Sequence, residues 1–507
     1  MGLLERFFKP SWGVHPDDHK RPAADVPLRT LPLPERLYVP LQQHVGGPAR
    51  PVVLAGQKVL KGQLLAEAQG NISAPVHAPT SGRVLAIGEV TAPHPSGLAQ
   101  LAITLASDGD ERWLEREPVA DPFALAPEEI ARLTAAAGVV GLGGATFPAA
   151  VKFNLGRRLK VSTLIVNGGE CEPYLSSDDA VMRVRAAEVV DGLRIVMHAI
   201  GAANALVGIE DNKPEAIAAM RAAAAPFGDV AIRPVPARYP MGSDKQLIQV
   251  LTGKEVPADA RAAEVGVLVH NVSTCAAVHR ALRRGEALVE RIVTVNGGAV
   301  RAPGNLLAPI GARVADLLAF AGLAAEPARL ILGGPMMGTL LPHANVPLVK
   351  GASGVLAFDA REAARPAAGP CIRCGSCTVA CPMGLLPLEM ASRIRAGDLA
   401  GATGFGLSDC ISCGCCAWVC PSHIPLVQYF SHARGELAAG ERARLRNEAT
   451  RRLVEQRGER LARDAREKAA AAAKRKAERD AAKAKAAAAT ESAAASSAAV
   501  SAKAVSP

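Results

Sequence analysis

Eight cysteines fall into two runs of one pattern: Cys371, Cys374, Cys377 and Cys381, then Cys410, Cys413, Cys416 and Cys420. The gaps in each are two, two and three residues, and each run ends in proline, at Pro382 and Pro421. A cubane [4Fe–4S] cluster needs four thiolates around a compact core, and two-residue gaps let three successive thiolates converge from one tight loop. In runs of this kind the fourth cysteine serves the other cluster. Cys371, Cys374, Cys377 and Cys420 are therefore assigned to one cluster, and Cys410, Cys413, Cys416 and Cys381 to the second. The crossing ties the two halves into one ferredoxin-like fold, and the chemistry is one-electron transfer. Ile372, Gly375, Ile411 and Gly414, between the ligands, are small or apolar and can shield the clusters while offering N–H groups to sulfur. Zinc also takes Cys-x-x-Cys pairs, but a tetrahedral site needs two such pairs, not two complete four-cysteine sets. Cys415 is the irregularity, a competitor beside Cys416, and the spacing favours Cys416. Cys171 and Cys275 are isolated and read as packing thiols.

A second constellation lies upstream. Gly141-Leu142-Gly143-Gly144-Ala145-Thr146-Phe147-Pro148, with Lys152 and Phe153 behind it, is a glycine-rich loop leading into a helix. Its backbone can approach a phosphate closely, and a helix N-terminus favours the anion. It does not match the dinucleotide fingerprint, since Thr146 takes the sixth position and no clear strand leads in; a structural glycine turn explains it equally well. Val166-Asn167-Gly168-Gly169-Glu170-Cys171-Glu172-Pro173-Tyr174 then follows a buried-type strand, where open α/β sheets bind ligands. Singly, Phe147 reads as core and Lys152 as a solvated helix charge.

The elements that must position these residues belong to a multidomain α/β and α+β chain. Its 507 residues suggest about three or four domains. Residues 1–34, rich in Pro, Asp, Lys and Arg, read as an extended N-terminal arm. Residues 35–110 are short apolar runs broken by glycine and proline, a small β barrel. That stretch resembles the flattened barrel of lipoyl and biotinyl carrier domains, but Leu65 to Pro75 has no lysine to modify, so a structural barrel is expected; Lys58 and Lys61 precede the tip. Residues 120–286 alternate helices (Pro127 to Ala137; a long one, Asp178 to Ile200) with strands (Ser162 to Val166; Ala205 to Ile209), an α/β layered domain. Residues 287–350, with strands at Ile292–Val295 and Leu330–Leu332 flanking a helix at Val314 to Ala321, read as a β-grasp domain. Residues 360–440 hold the clusters, with helices around Pro387 to Ala396 and Leu426 to Ala439. Residues 441–507 form an Ala/Lys/Arg-rich tail, a solvated helix fraying into disorder or a docking element.

Net charge is +10, much of it beyond Arg442. The tail lacks interleaved aromatics to stack on bases, which argues against nucleic acid. Met1 to Pro10 lacks a signal peptide's apolar region, and Arg6 stands where a myristoylation signal needs Ser or Thr. Arg194 to Ile209, interrupted by His198 and Asn204, is too short to span a bilayer, so any membrane attachment would be peripheral. Clustered cysteines point to a reducing cytoplasm.

The glycine loop and the Asn167–Tyr174 segment resemble the flavin- and NADH-binding loops of the NADH-oxidising subunit of respiratory complex I. The order barrel, flavin-type domain, β-grasp, double-cluster ferredoxin resembles the C-subunit family of Rnf/Rsx ion-translocating oxidoreductases, over nearly everything from Leu3 to Arg434. That resemblance implies noncovalent FMN and NAD(H) besides the clusters. It places the Gly141, Gly143 and Gly144 backbone and Lys152 against phosphate or flavin, and Phe147 under NADH. Asn167, Glu170 and Glu172 would hold flavin or nicotinamide ribose. Tyr239 and Gly242, in Tyr239–Lys245, resemble a further flavin loop, and Asn271 and Thr274, in His270–Thr274, the loop around the FMN phosphate. Gly169 departs from that pattern where complex I has an acid, and Ser243-Asp244 where it has a glutamate pair, which leaves open an electron-wire protein without nucleotide binding. The resemblance further implies an NAD-linked, ferredoxin:NAD-type oxidoreductase, peripheral on the cytoplasmic side of the bacterial inner membrane. Its partners would be membrane subunits, flavin-bearing subunits and a ferredoxin-like B subunit.

Overall fold

The computed structural model describes residues 11–94 and 96–502, with side chains as far as 497. The expectations for Met1–Pro10 lie outside the described residues. The chain divides into two compact units, Met1–Ser431 and His432–Pro507.

In the barrel region, Arg36–Pro40, Ala99–Ser107, Gly82–Thr91 and Lys58–Val59 form one antiparallel sheet, and Arg50–Pro51, Leu64–Glu67 and Val76–His77 a second. Strand alternation decides which side chains turn inward: Leu37 and Val39 are buried while Arg36 is exposed. Lys61 is buried and paired with Glu111 at 2.6 Å, a structural role.

The central sheet is wholly parallel. Its strands Thr163–Gly168, Asn204–Glu210, Val230–Val235 and Val267–Asn271 lie in spatial order third, second, first, fourth. Helices cover its faces, so its strands are near-continuous apolar runs such as Leu164-Ile165-Val166. The order reverses between the first and fourth strands, where Asn167 pairs with Asn271. Open α/β sheets bind ligands at this switch point, outside the carboxyl ends of the strands.

The single helix expected over Asp178–Ile200 is two, Ser177–Val184 and Ala186–Ile200. Arg185 breaks them at φ −131°, ψ 26°. Apolar residues continue on both sides of the break, so periodicity alone does not show it.

A six-stranded sheet follows, in the order Arg29–Thr30, Gly304–Pro309, Glu290–Asn296, Gly354–Phe358, Arg329–Leu332, Thr339–Leu341, with the helix Val314–Ala321 beside it. Gly354–Phe358 carries the sheet past residue 350. Arg29–Thr30, in the stretch read as an extended arm, is an edge strand pairing with Leu306 and Leu307. Leu37 and Ile103 of the barrel share one apolar core with Val293, Leu306 and Leu317 of this sheet, so the two regions are packed as one body.

The cysteine-rich stretch is built of short helices, among them Ser376–Ala380, Pro387–Arg395 and Cys415–Trp418. The helix from Leu426 runs to Ala502, so the helix expected over Leu426 to Ala439 and the helical tail expected beyond it are continuous. Pairs such as Arg444 with Glu441 and Glu448 at i±3 and i+4 support it. Among the described residues no helix is long and apolar enough to cross a membrane.

Candidate functional site

The glycine loop closes on itself: Gly141 N–H donates to Phe147 O at 2.8 Å, leaving Gly143, Gly144 and Ala145 exposed. Gly144 adopts φ 104°, and nothing stands within 4 Å of where its Cβ would be. An open face of backbone results. Leu142 N–H donates to Thr274 Oγ1 at 2.9 Å, anchoring the loop to the helix Val272–Arg283. Asn271 caps that helix by accepting from Ser273 N–H at 2.9 Å, and its amide donates to Asp178 Oδ2 at 2.6 Å. Lys152, on the helix Ala149–Arg158, reaches the strand end and donates to Val269 O at 3.0 Å. Phe147 is half-buried in the loop; the buried core ring is Phe153, edge-on to His270 at 5.4 Å. The exposed glycine loop and a capped helix start thus meet at the switch point, with the Lys152 ammonium held on the neighbouring strand, a donor set that fits a phosphate-bearing flavin.

The second loop is differently occupied. Asn167 donates to Gly242 O at 2.8 Å and accepts from Gly169 N–H at 3.0 Å. A Cβ at Gly169 would lie 3.1 Å from Asn167 Oδ1 and 3.2 Å from Gly242 Cα, so a side chain there, such as the acid of the complex I pattern, requires the Gly242 loop to shift. Glu170 accepts from Ser177 Oγ–H (3.1 Å), Asp178 N–H (2.7 Å) and Asp179 N–H (3.1 Å), capping the helix Ser177–Val184. Glu172 accepts from Met336 and Met337 N–H, both at 2.9 Å. Burial pushes its pKa up to about 7. Both carboxylates, expected on a ribose, are taken up by the chain's own donors.

Sequence reasoning missed the groups beneath this loop. Lys20 Nζ donates to the carbonyls of Glu170 (2.8 Å), Glu172 (2.8 Å) and Leu175 (2.6 Å). Lys213 Nζ donates to Gly169 O at 2.9 Å and to Glu210 at 2.6 Å. Nothing marks Lys20 within its polar arm; Lys213 carries only the signal of preceding a helix-starting proline, Pro214. Asp178, pushed up to about 6 by burial and then by Glu170, ties the starts of two helices together. Buried Arg291, brought down to about 10 by desolvation, donates to Leu142 O at 3.3 Å and props the glycine loop.

The two cysteine runs repeat one backbone. Arg373 and Ser412 take φ 55° and 57°, Gly375 and Gly414 φ 78° and 85°. Arg373 N–H donates to Cys371 Sγ, and Ser412 N–H to Cys410 Sγ, each at 3.4 Å. Cys381, Cys410, Cys413 and Cys416 line one pocket, together with Leu385, Met390 and Phe430. Its thiol lining fits a cubane. Among the described residues no three His, Cys, Asp or Glu side chains stand close enough to share a single metal ion; a cubane spreads its thiolates over a larger core. Cys415 also lines this pocket; its hydrogen bond to Cys413 and its burial push its thiol up, as burial pushes up that of Cys416. Cys371 and Cys374 are exposed, Cys377 and Cys420 half-buried.

Tyr239, expected to line a flavin, is instead buried against the inner cysteine loop. Its hydroxyl donates to Cys413 O at 2.6 Å, and its ring packs with Val14, Ala380 and Cys415. The reason is local: that pocket offers both an apolar wall and an acceptor. Gly242, three residues on, stays beside Asn167, and Gln246 donates to Pro382 O at 2.9 Å. One loop therefore joins the strand ends to the buried cysteines.

Family models match four stretches: a Nuo51 FMN-binding domain over 134–280, an RnfC barrel sandwich hybrid domain over 8–110, an SLBB domain over 292–340 and a 4Fe-4S dicluster domain over 370–424. The C subunit of the ion-translocating oxidoreductase complex of Rhodobacter capsulatus is 51% identical over 428 residues, covering 84% of this chain and 82% of that protein. The chain belongs to this C-subunit family. The member from Pseudomonas aeruginosa is 48% identical over 456 residues, 89% of this chain and 58% of the longer relative. A chain of NAD+-reducing [NiFe]-hydrogenase in the H2-reduced state superposes at TM-score 0.45 and 21% identity, over 64% of this chain and 68% of that one, too loosely to bear on function. Membership makes the chain an electron-transport, oxidoreductase subunit with an FMN-binding domain and a 4Fe-4S dicluster domain.

Proposed function

We propose that the chain passes electrons between NAD(H), through FMN at the strand ends, and partner redox subunits, through two [4Fe–4S] clusters. The Gly141, Gly143 and Gly144 backbone with Lys152, Asn271 and Thr274 would hold the FMN phosphate end. Asn167 and Gly242 would hold its ring and ribityl chain, and Phe147 would face NADH. FMN supplies the exchange between a two-electron hydride and one-electron clusters. Cys381, Cys410, Cys413 and Cys416 would bind the inner cluster, and Cys371, Cys374, Cys377 and Cys420 the outer. The outer rim, with Ile372 67% and Trp418 56% exposed, suits docking of an electron-carrying subunit of the complex, as on the cytoplasmic face of a membrane. Ion movement would belong to membrane subunits.

The observation that carries this reading is the loop from Gly242, hydrogen-bonded to Asn167, to Tyr239, hydrogen-bonded to Cys413. That loop supports a flavin site next to a buried cluster site. Anaerobic titration of the FMN- and cluster-reconstituted chain with NADH, followed by absorbance and electron paramagnetic resonance, tests it. Flavin bleaching followed by two cluster signals is the expected result; no bleaching and no cluster signal rejects it.

One observation favours a second reading, an iron–sulfur wire without nucleotide binding: Glu170 and Glu172 are already taken up by backbone amides. On that reading FMN does not bind, while dithionite still reduces both clusters.

A further inference from the structure

The segment Trp12–Lys20 has no helix or strand of its own, yet its backbone is bonded to every side of the junction just described. Gly13 N–H donates to Ala380 O at 3.0 Å, on the helix of the first cysteine run. Val14 and Tyr239 exchange backbone hydrogen bonds at 2.9 and 3.0 Å. Tyr174 N–H donates to Asp18 O at 2.7 Å, and the His19 ring stacks on Tyr174 at 4.7 Å. Asn296, at the end of a strand of the six-stranded sheet, donates to His19 O at 3.0 Å. Lys20 holds three carbonyls of the Glu170–Leu175 loop.

A segment that only covered apolar surface would not need this pattern. Its backbone donors and acceptors find partners on both loops that flank the gap between the flavin-type strand ends and the inner cysteines, so both loops are held to one frame. At Gly13 the contact is tight: φ is +84°, and a Cβ would come within 2.3 Å of Tyr239 O. Any other residue there must push the segment off Tyr239.

We propose that Trp12–Lys20 is a positioning strap that fixes the separation between the flavin loop and the inner cluster, acting through Tyr239 and through Lys20. It rests on the function proposed above. FMN and the inner cluster, when bound, would supply a one-electron transfer between them. The strap residues hold Ala380, Tyr239, Tyr174, Asn296 and the Glu170–Leu175 carbonyls, so the strap would govern the rate of that transfer and not the uptake of hydride.

Gly13→Val in the full, reconstituted chain tests this. FMN and iron content and the rate of flavin bleaching by NADH stay at parental values. Reduction of the inner cluster slows several-fold, because one-electron transfer through protein weakens with each added ångström of separation. In hydrogen-exchange mass spectrometry, peptides over 239–242 and 410–416 exchange about tenfold faster. Parental cluster reduction with parental exchange overturns the strap. If Gly13→Val does not fold, Tyr239→Phe removes only the hydroxyl bond to Cys413; unchanged exchange over 410–416 and an unchanged cluster rate overturn it equally. Where NADH bleaches no flavin in the parent, the nucleotide reading fails on its own, and the strap is judged on cluster reduction after photoreduction of bound FMN. A parent that binds no FMN overturns both.

Discussion

The two cysteine runs have the same spacing, the same left-handed turns and the same N–H to Sγ bond, yet their surroundings are opposite. Cys413 and Cys416 are each 8% exposed and are walled by Leu385, Met390, Phe430 and the Tyr239 ring. Cys371 and Cys374 are exposed, beside exposed Ile372. Local sequence sets ligation; the shell of solvent, dipoles and neighbours sets potential and reach. On the function proposed above, two clusters made by one repeat would do different work, the buried one receiving from the flavin side and the exposed one handing on to a partner.

The largest effect that would break this comparison is loss of the inner set. Cys413→Ala should remove about half of the iron of a two-cubane chain and stop NADH from reducing the cluster that remains, while flavin still bleaches. Cys374→Ala should remove a similar share of iron yet leave the inner cluster reducible. Iron analysis with electron paramagnetic resonance after NADH reads both; if Cys374→Ala silences the inner signal, the order of the clusters is reversed.

Exposure should also show in metal removal. Under a ferrous chelator in air the parent should lose iron in two phases, the fast one from the outer set, because oxidation and exchange follow thiolate access. Cys374→Ala should lack the fast phase. A single phase in the parent would mean that burial does not distinguish the sites.

A smaller effect separates Cys415 from Cys416. Cys416→Ser should cost the inner cluster. Cys415→Ser should keep it and lower stability by about 1 kcal/mol, the scale of a modest buried polar change. Iron content decides: an inner cluster lost in Cys415→Ser makes Cys415 the ligand.

How far the sequence shows all this follows from the range of the forces involved. The cysteine loops are legible because ligation and turn geometry act over a few residues. The helix Val314–Ala321 is legible because burial imposes a period, and the strands Thr163–Gly168 and Asn204–Glu210 because they are short apolar runs in a helix-strand alternation. Tyr239 is not: whether its ring meets a flavin or Cys413 depends on two segments brought together by the fold. Lys20 lies in a stretch with no pattern at all, and only the carbonyls of the Glu170–Leu175 loop explain its burial. The break at Arg185 is invisible because apolar residues continue on both sides of it. The resemblance to complex I names Glu170 and Glu172, while their hydrogen bonds give them to backbone amides.

Glu172 yields the finest test, since it stands on the inner side alone. Its carboxylate bonds the loop carrying Met336, which packs with Cys413 and Tyr239. Burial raises its pKa from 4.5 to about 7. The folded chain therefore holds a proton that the unfolded chain has lost throughout that window. The stability this contributes is complete below the unfolded value and is lost as pH rises through the folded one, by at most about 1.4 kcal/mol per pH unit. Glu172→Gln should flatten that slope and leave the outer site untouched. Anaerobic thermal midpoints of parent and variant should converge or cross as pH rises toward about 7 and then run parallel above it. A difference that does not change with pH would show that Glu172 is charged throughout, its two amide bonds outweighing its burial.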